Sequence, residues 1–113
     1  MSTHSQRIAK RLLNLWKQQD GFCWYCGRPT WLPGAGETKA EARIRLGLTA
    51  GVLSAARLFR YRRASIEHLK RRADGGTLKD GTVMACVECN SRRQETPPHE
   101  HKQKMRQRLD ANP

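Results

Sequence analysis

The sequence predicts a small α+β fold, stapled by zinc, in which two short strands and a following helix form the centre and further helices flank it. Three observations predict this. Cys23-x-x-Cys26 and Cys86-x-x-Cys89 form a double CxxC, the usual pattern for tetrahedral zinc in four thiolates. Residues 64–69 and 82–85 read as two short strands around a glycine-containing loop. Helical periodicity lies on either side of them. A chain of 113 residues, 37% hydrophobic and 6% aromatic, buries only a modest core, so an added staple is expected.

From Ser5 to Gln19 the apolar residues Ile8, Leu12, Leu13, Leu15 and Trp16 recur at helical spacing, and Asp20-Gly21 supplies the stop. The stretch GFCWYCGRP then sets aromatic residues around the first CxxC with a glycine behind it, the composition of a tight metal-binding turn. Thr38 and Glu41 can form a capping box for a short helix through Leu46, ended by Gly47, with Ala40 and Ile44 on its inner face. Residues 49–60 read as a further helix weakened by Gly51. A helix starts again near Cys86 or Val87. After Pro97-Pro98, residues 99–109 form a last helix rich in cations (Lys102, Lys104, Arg106, Arg108) and poor in apolar groups, expected to lie in solvent or against phosphate. His99-Glu100-His101 reads as its exposed start rather than a further metal site. The organisation expected is a single domain over 1–113: an N-terminal helix in 1–20, a zinc-stapled core in 21–96 with a helical insertion at 37–60, and a basic C-terminal helix in 97–113.

Charge narrows the partners. Lys and Arg number 22 against 10 Asp and Glu, a formal charge of +12, the footprint of a polyanion binder, with nucleic acid the first candidate. A merely basic surface and adhesion to anionic lipid are the alternatives. No apolar run approaches the roughly 18 residues of a membrane span, and no signal-peptide core follows the N-terminus. The acid-free segment Arg7 to Lys17 reads as an integral first helix rather than a transit peptide. A cytoplasmic protein with no membrane association is expected, and four cysteines there favour metal ligation over disulfides.

The 59 residues between the two cysteine pairs exceed the spacing of a simple zinc ribbon. The metal would fasten the two ends of that segment together. Four thiolates leave no open coordination position, so the expected role of this zinc is structural.

Two further stretches carry chemistry. SIEHLKRRADGG (Ser65 to Gly76) sets an acid and a histidine side by side with three cations behind them, and VMACVECNSRR (Val83 to Arg93) sets an asparagine and two arginines behind the second cysteine pair. Together with CWYC, these stretches resemble the zinc-bearing HNH endonucleases with their ββα-metal fold, over close to half of the chain. The resemblance implies that Glu67 and Asn90 hold one divalent ion, Mg²⁺ or Mn²⁺, while His68 activates water. It also implies DNA as substrate, with 5′-phosphate and 3′-hydroxyl products. An imidazole suits a base working near neutral pH, and Mg²⁺ is typically held by one or two carboxylates together with substrate phosphates. Lys70, Arg71, Arg72, Arg92 and Arg93 are the candidate phosphate contacts. Arg57 to Arg72 carries seven cations and one acid, open to DNA contact or to a solvated face. On a regular strand Glu67 and His68 would point to opposite faces, so the strand is expected to twist or end there. The family's middle asparagine is missing; Gly81 stands in its place, with Asp80 as the nearest substitute.

The reading is a metal-dependent HNH endonuclease hydrolysing DNA phosphodiester bonds, with His68 as general base. The alternative is a non-catalytic zinc-stapled module that binds nucleic acid. A zinc-stapled protein-interaction module is a third.

Overall fold

A computed structural model describes residues 3–69, 76–77 and 81–111, with side chains through Arg108. Lys70, Arg71, Arg72 and Asp80 lie outside the described residues. Among the described residues five helices and two strands run in the order α1 (His4–Gln18), α2 (Lys39–Leu46), α3 (Ala55–Tyr61), β1 (Ala64–His68), β2 (Thr82–Cys86), α4 (Val87–Arg93) and α5 (Pro98–Ala111). β1 and β2 pair antiparallel in the register Ala64↔Cys86 through His68↔Thr82, and α4 follows β2 without a break. The result is a zinc-stapled ββα-like architecture in an α+β fold. Among the described residues no helix is long and apolar enough to cross a membrane.

Local chemistry explains the helix ends. Thr3 caps α1 and Thr38 caps α2, each in a reciprocal capping box, with Gln6 and Glu41 as the respective partners. Gly47 closes α2 in the left-handed conformation at φ 71°, which costs glycine little. Cys86 caps α4 through its own sulfur, which accepts from the Cys89 N–H at 3.5 Å.

Among the described residues three clusters of buried side chains hold the fold. Leu15 of α1 packs with Leu32, Ala64 and Met84, with Leu12, Leu13, Trp16 and Ile66 at the margin. A second cluster joins the four cysteines to Tyr25, Ala85 and Met105. The third seats the insertion: Trp31 stacks on Phe59 at 4.3 Å with an interplanar angle of 5°, Ala42 fills the remaining side, and Arg43 and Arg63 lie over the outer ring faces. Trp31 also donates its indole N–H to the Phe59 carbonyl at 2.7 Å. Stacked rings under two guanidiniums form a durable anchor.

The open edge of β2 is covered by a side chain. The Gln19 amide accepts from the Met84 N–H at 2.8 Å and donates to the Met84 carbonyl at 2.9 Å, as a neighbouring strand would.

Three expectations are corrected. On α2, Ala42 is buried while Ala40 and Ile44 face solvent. Ala42 and Leu46 form an i, i+4 pair equivalent to Ala40 and Ile44, and the Trp31–Phe59 stack selects the former. The last helix is not a solvated appendage: His101 and Met105, one turn apart, are 6% and 4% exposed, because α5 lies across the first cysteine turn. The helix expected over 49–60 is confined to Ala55–Tyr61, and its first-turn neighbour Ser54 has φ 60°.

Candidate metal centre and nucleic-acid interface

The Sγ atoms of Cys23, Cys26, Cys86 and Cys89 all lie within 4.8 Å of one another, and all four residues are buried. The Cys26–Cys86 separation is 4.0 Å. A tetrahedron with Zn–S bonds of about 2.3 Å has edges of about 3.8 Å, so the thiols fit this ion. Backbone N–H groups tune the ligands: Cys86 donates to Cys23 Sγ at 3.3 Å, and Cys89 donates to Cys86 Sγ. Hydrogen bonds from the neighbouring thiols, Cys26 first, pull the Cys23 thiol down, and the same cluster, Cys23 first, pushes Cys86 and Cys89 up. Only a cation at the centre lets all four ionise together.

The cysteine turn is gripped from outside by α5. Arg106 donates from Nε to the Tyr25 carbonyl at 2.7 Å and from Nη2 to the Trp24 carbonyl at 3.4 Å. Lys102 sits 4.0 Å from the Trp24 ring centre, and His101 meets the Tyr25 ring edge-on at 4.9 Å. Gly27, at φ 73°, leaves room for the Arg106 guanidinium; a Cβ there would stand 2.9 Å from it. Nothing local in the sequence signals this, since His101 and Met105 are isolated among polar residues.

β1 runs through His68 and ends there, and the Leu69 N–H still bonds the Gly81 carbonyl at 2.6 Å. Alternation therefore holds along the strand. Ser65 and Glu67 turn toward α4, whereas Ile66 joins the α1 cluster. His68 falls on the Ile66 side, opposite Thr82, and its Nε2 is buried with no hydrogen-bond partner among the described residues. Thr82 in turn accepts from Arg11 Nε at 3.3 Å.

Glu67 is 4% exposed and closes a bidentate pair with Arg93: Nε to Oε2 at 3.0 Å and Nη2 to Oε1 at 2.9 Å. The third face of the guanidinium donates to the Thr96 carbonyl at 2.9 Å. The Glu67 hydrogen bonds hold the Arg93 guanidinium firmly protonated, and burial followed by the Glu67 charge pushes the Tyr25 phenol up. Asn90 donates its amide to Ser65 Oγ at 3.1 Å and to the Ile66 carbonyl at 3.2 Å, and Ser65 Oγ donates to the Ala85 carbonyl at 2.9 Å. Glu67 and Asn90 thus lie on one side of the hairpin, between β1 and α4.

A second ion at Glu67 and Asn90 would have to displace Arg93 from the carboxylate. Both carboxylate oxygens already accept from Arg93, while the Asn90 Nδ2 braces α4 against β1 and its Oδ1 is the atom an ion would take. The donor set matches an internal ion pair and a strand brace. Arg93 is spent on Glu67 and Thr96, so the α4 cation left facing solvent is Arg92, which is half exposed and meets the largely buried Glu88 at 3.4 Å. The Asn90-x-x-Arg93 spacing, one helical turn, is the sequence signal that both residues share a face of α4.

Comparison with protein-family models, with curated proteins and with solved structures finds no match to this chain.

Proposed function

We propose that the chain is a single zinc-stapled domain that binds nucleic acid, DNA in the first instance, through its cationic surface. The observation that supports this best is how the charges are disposed. The acids Glu37, Glu67, Glu88 and Glu100 are engaged by Arg45, Arg93, Arg92 and Lys104, while Arg7, Lys10, Lys17, Arg57, Arg60, Arg106 and Arg108 are exposed within a formal excess of +12. Such a surface binds a polyanion through counterion release. Fluorescence anisotropy with duplex and single-stranded oligonucleotides across a salt series tests it: affinity should fall steeply with salt, and undetectable binding at low salt ends the reading.

A second reading, metal-dependent hydrolysis of DNA by an HNH-type centre, is favoured by one observation. His68 stands at the end of the first strand of a ββα unit, its Nε2 without a hydrogen-bond partner among the described residues, the position the sequence resemblance gives to the base. That reading requires the Glu67–Arg93 pair to open. Plasmid cleavage with Mg²⁺ or Mn²⁺, beside His68→Ala, decides it: binding without turnover leaves the first reading standing alone.

A further inference from the structure

Between the end of α4 and the face of α5 the chain forms a cleft that reaches Met105 of the cysteine cluster. Its volume is about 430 Å³, and Arg92, Thr96, His101, Lys104, Met105 and Arg108 line it. This lies within the roughly 300–1,000 Å³ of ordinary ligand sites. Three of the six lining side chains are cations, and the threonine adds a hydroxyl. His101 is 6% exposed, and its Nε2 has no hydrogen-bond partner among the described residues. A buried ring nitrogen left without a partner calls for a ligand or an ordered water. Glu88 meets Arg92 and Glu100 meets Lys104, each at 3.4 Å across one helical turn, with the cation ends 52% and 62% exposed. Pairs of this kind contribute little and exchange readily.

We propose that this cleft between α4 and α5 binds a nucleotide phosphate, with Arg92, Lys104 and Arg108 neutralising the charge. The phosphate belongs either to a nucleic-acid backbone or to a free nucleotide. Guanidinium and ammonium groups converging on one concavity, with a hydroxyl beside them, suit a tetrahedral anion with several acceptor oxygens. Where the phosphate is that of a backbone, the inference rests on the nucleic-acid reading above. It then adds a path: the strand crosses the α4–α5 end of the molecule.

The test compares the full chain with the double variant Lys104→Glu/Arg108→Glu and with a charge-matched control, Lys10→Glu/Lys17→Glu on α1. Zinc content and melting temperature serve as checks of fold. Duplex affinity should drop at least about tenfold in the cleft variant, and the slope of log affinity against log salt should become shallower by about two. An equal loss in the α1 control means a diffuse field and overturns the cleft, as does unchanged binding in the cleft variant. A separate arm titrates nucleoside monophosphate and inorganic phosphate and follows the His101 ring resonances. If the wild type ignores duplex yet nucleoside monophosphate shifts His101, and the cleft variant abolishes that shift, the cleft stands with a free nucleotide as its ligand and the nucleic-acid reading falls. If neither duplex nor nucleotide binds, both fall.

Discussion

Arg93 of α4 and Glu67 of β1 form two parallel hydrogen bonds of 3.0 and 2.9 Å with side chains only 19% and 5% exposed. This pair fixes the helix to the hairpin. Removing one partner strands a buried charge, so Arg93→Ala or Glu67→Gln should cost about 3–5 kcal/mol in urea unfolding, whereas the double change Arg93→Met/Glu67→Leu should lie much closer to wild type. Single variants that unfold at the wild-type urea concentration would show that the pair is solvated.

Zinc ligation should decide whether the chain folds at all. Cys86→Ser removes one of the four thiols and also the sulfur that caps α4, so it should lower zinc content and melting temperature together, and chelation of the wild type should do the same. Full zinc occupancy with unchanged melting in Cys86→Ser would remove the staple.

Gln19→Ala takes away the amide that pairs with Met84. The Met84 carbonyl keeps the Trp24 N–H at 3.1 Å, but the Met84 N–H is left without its acceptor beside a fully buried side chain. The expected cost is about 1–3 kcal/mol, read by denaturant unfolding. Amide exchange at Met84 should quicken in the same variant; unaltered exchange would mean that another group covers this edge.

His101 gives the domain a dependence on acid. Burial, together with the nearby Arg93 and Lys104 charges, lowers its affinity for a proton below the ordinary histidine value, although Cys23 and Glu67 act the other way. The folded form therefore prefers the neutral ring. The stability this supplies is complete above the unfolded value of about 6.5 and is lost as pH falls from there through the lower folded value. Melting of zinc-saturated protein should decline over that window, and His101→Leu should decline less; parallel curves would place the acid response elsewhere.

Much of this fold is legible from residues whose effect is local. Thr38, Glu41 and Gly47 specify both ends of α2, and the cysteine spacing alone predicts which distant segments meet. The opaque parts depend on partners far along the chain. Nothing near Glu67 indicates an arginine 26 residues later, because a carboxylate beside a histidine suits an ion pair and a metal equally well. Nothing within α5 reveals that His101 and Met105 are core residues, since two isolated side chains make too weak an apolar face until the cysteine turn is there to receive them. The inner face of α2 is undetermined for the same reason: two equivalent i, i+4 pairs compete, and the Trp31–Phe59 stack chooses between them.

The parallel bridge between Trp31 and Arg63, with Trp31 donating to the Arg62 carbonyl and Ala64 donating back to that of Trp31, brings the two ends of the insertion side by side. Between them, among the described core residues, Leu32 and Ala35 reach the α1 cluster and Ala42 and Phe59 the Trp31 ring; the rest is an outer excursion of the chain. Lengthening or shortening the loops of that excursion would leave the cysteine turn, β1 and α4 where they stand, because the cost of loop closure grows only slowly with length. Descent with modification could thus rebuild the outer surface of this molecule, and with it the choice of partner, while the stapled hairpin beneath stayed the same.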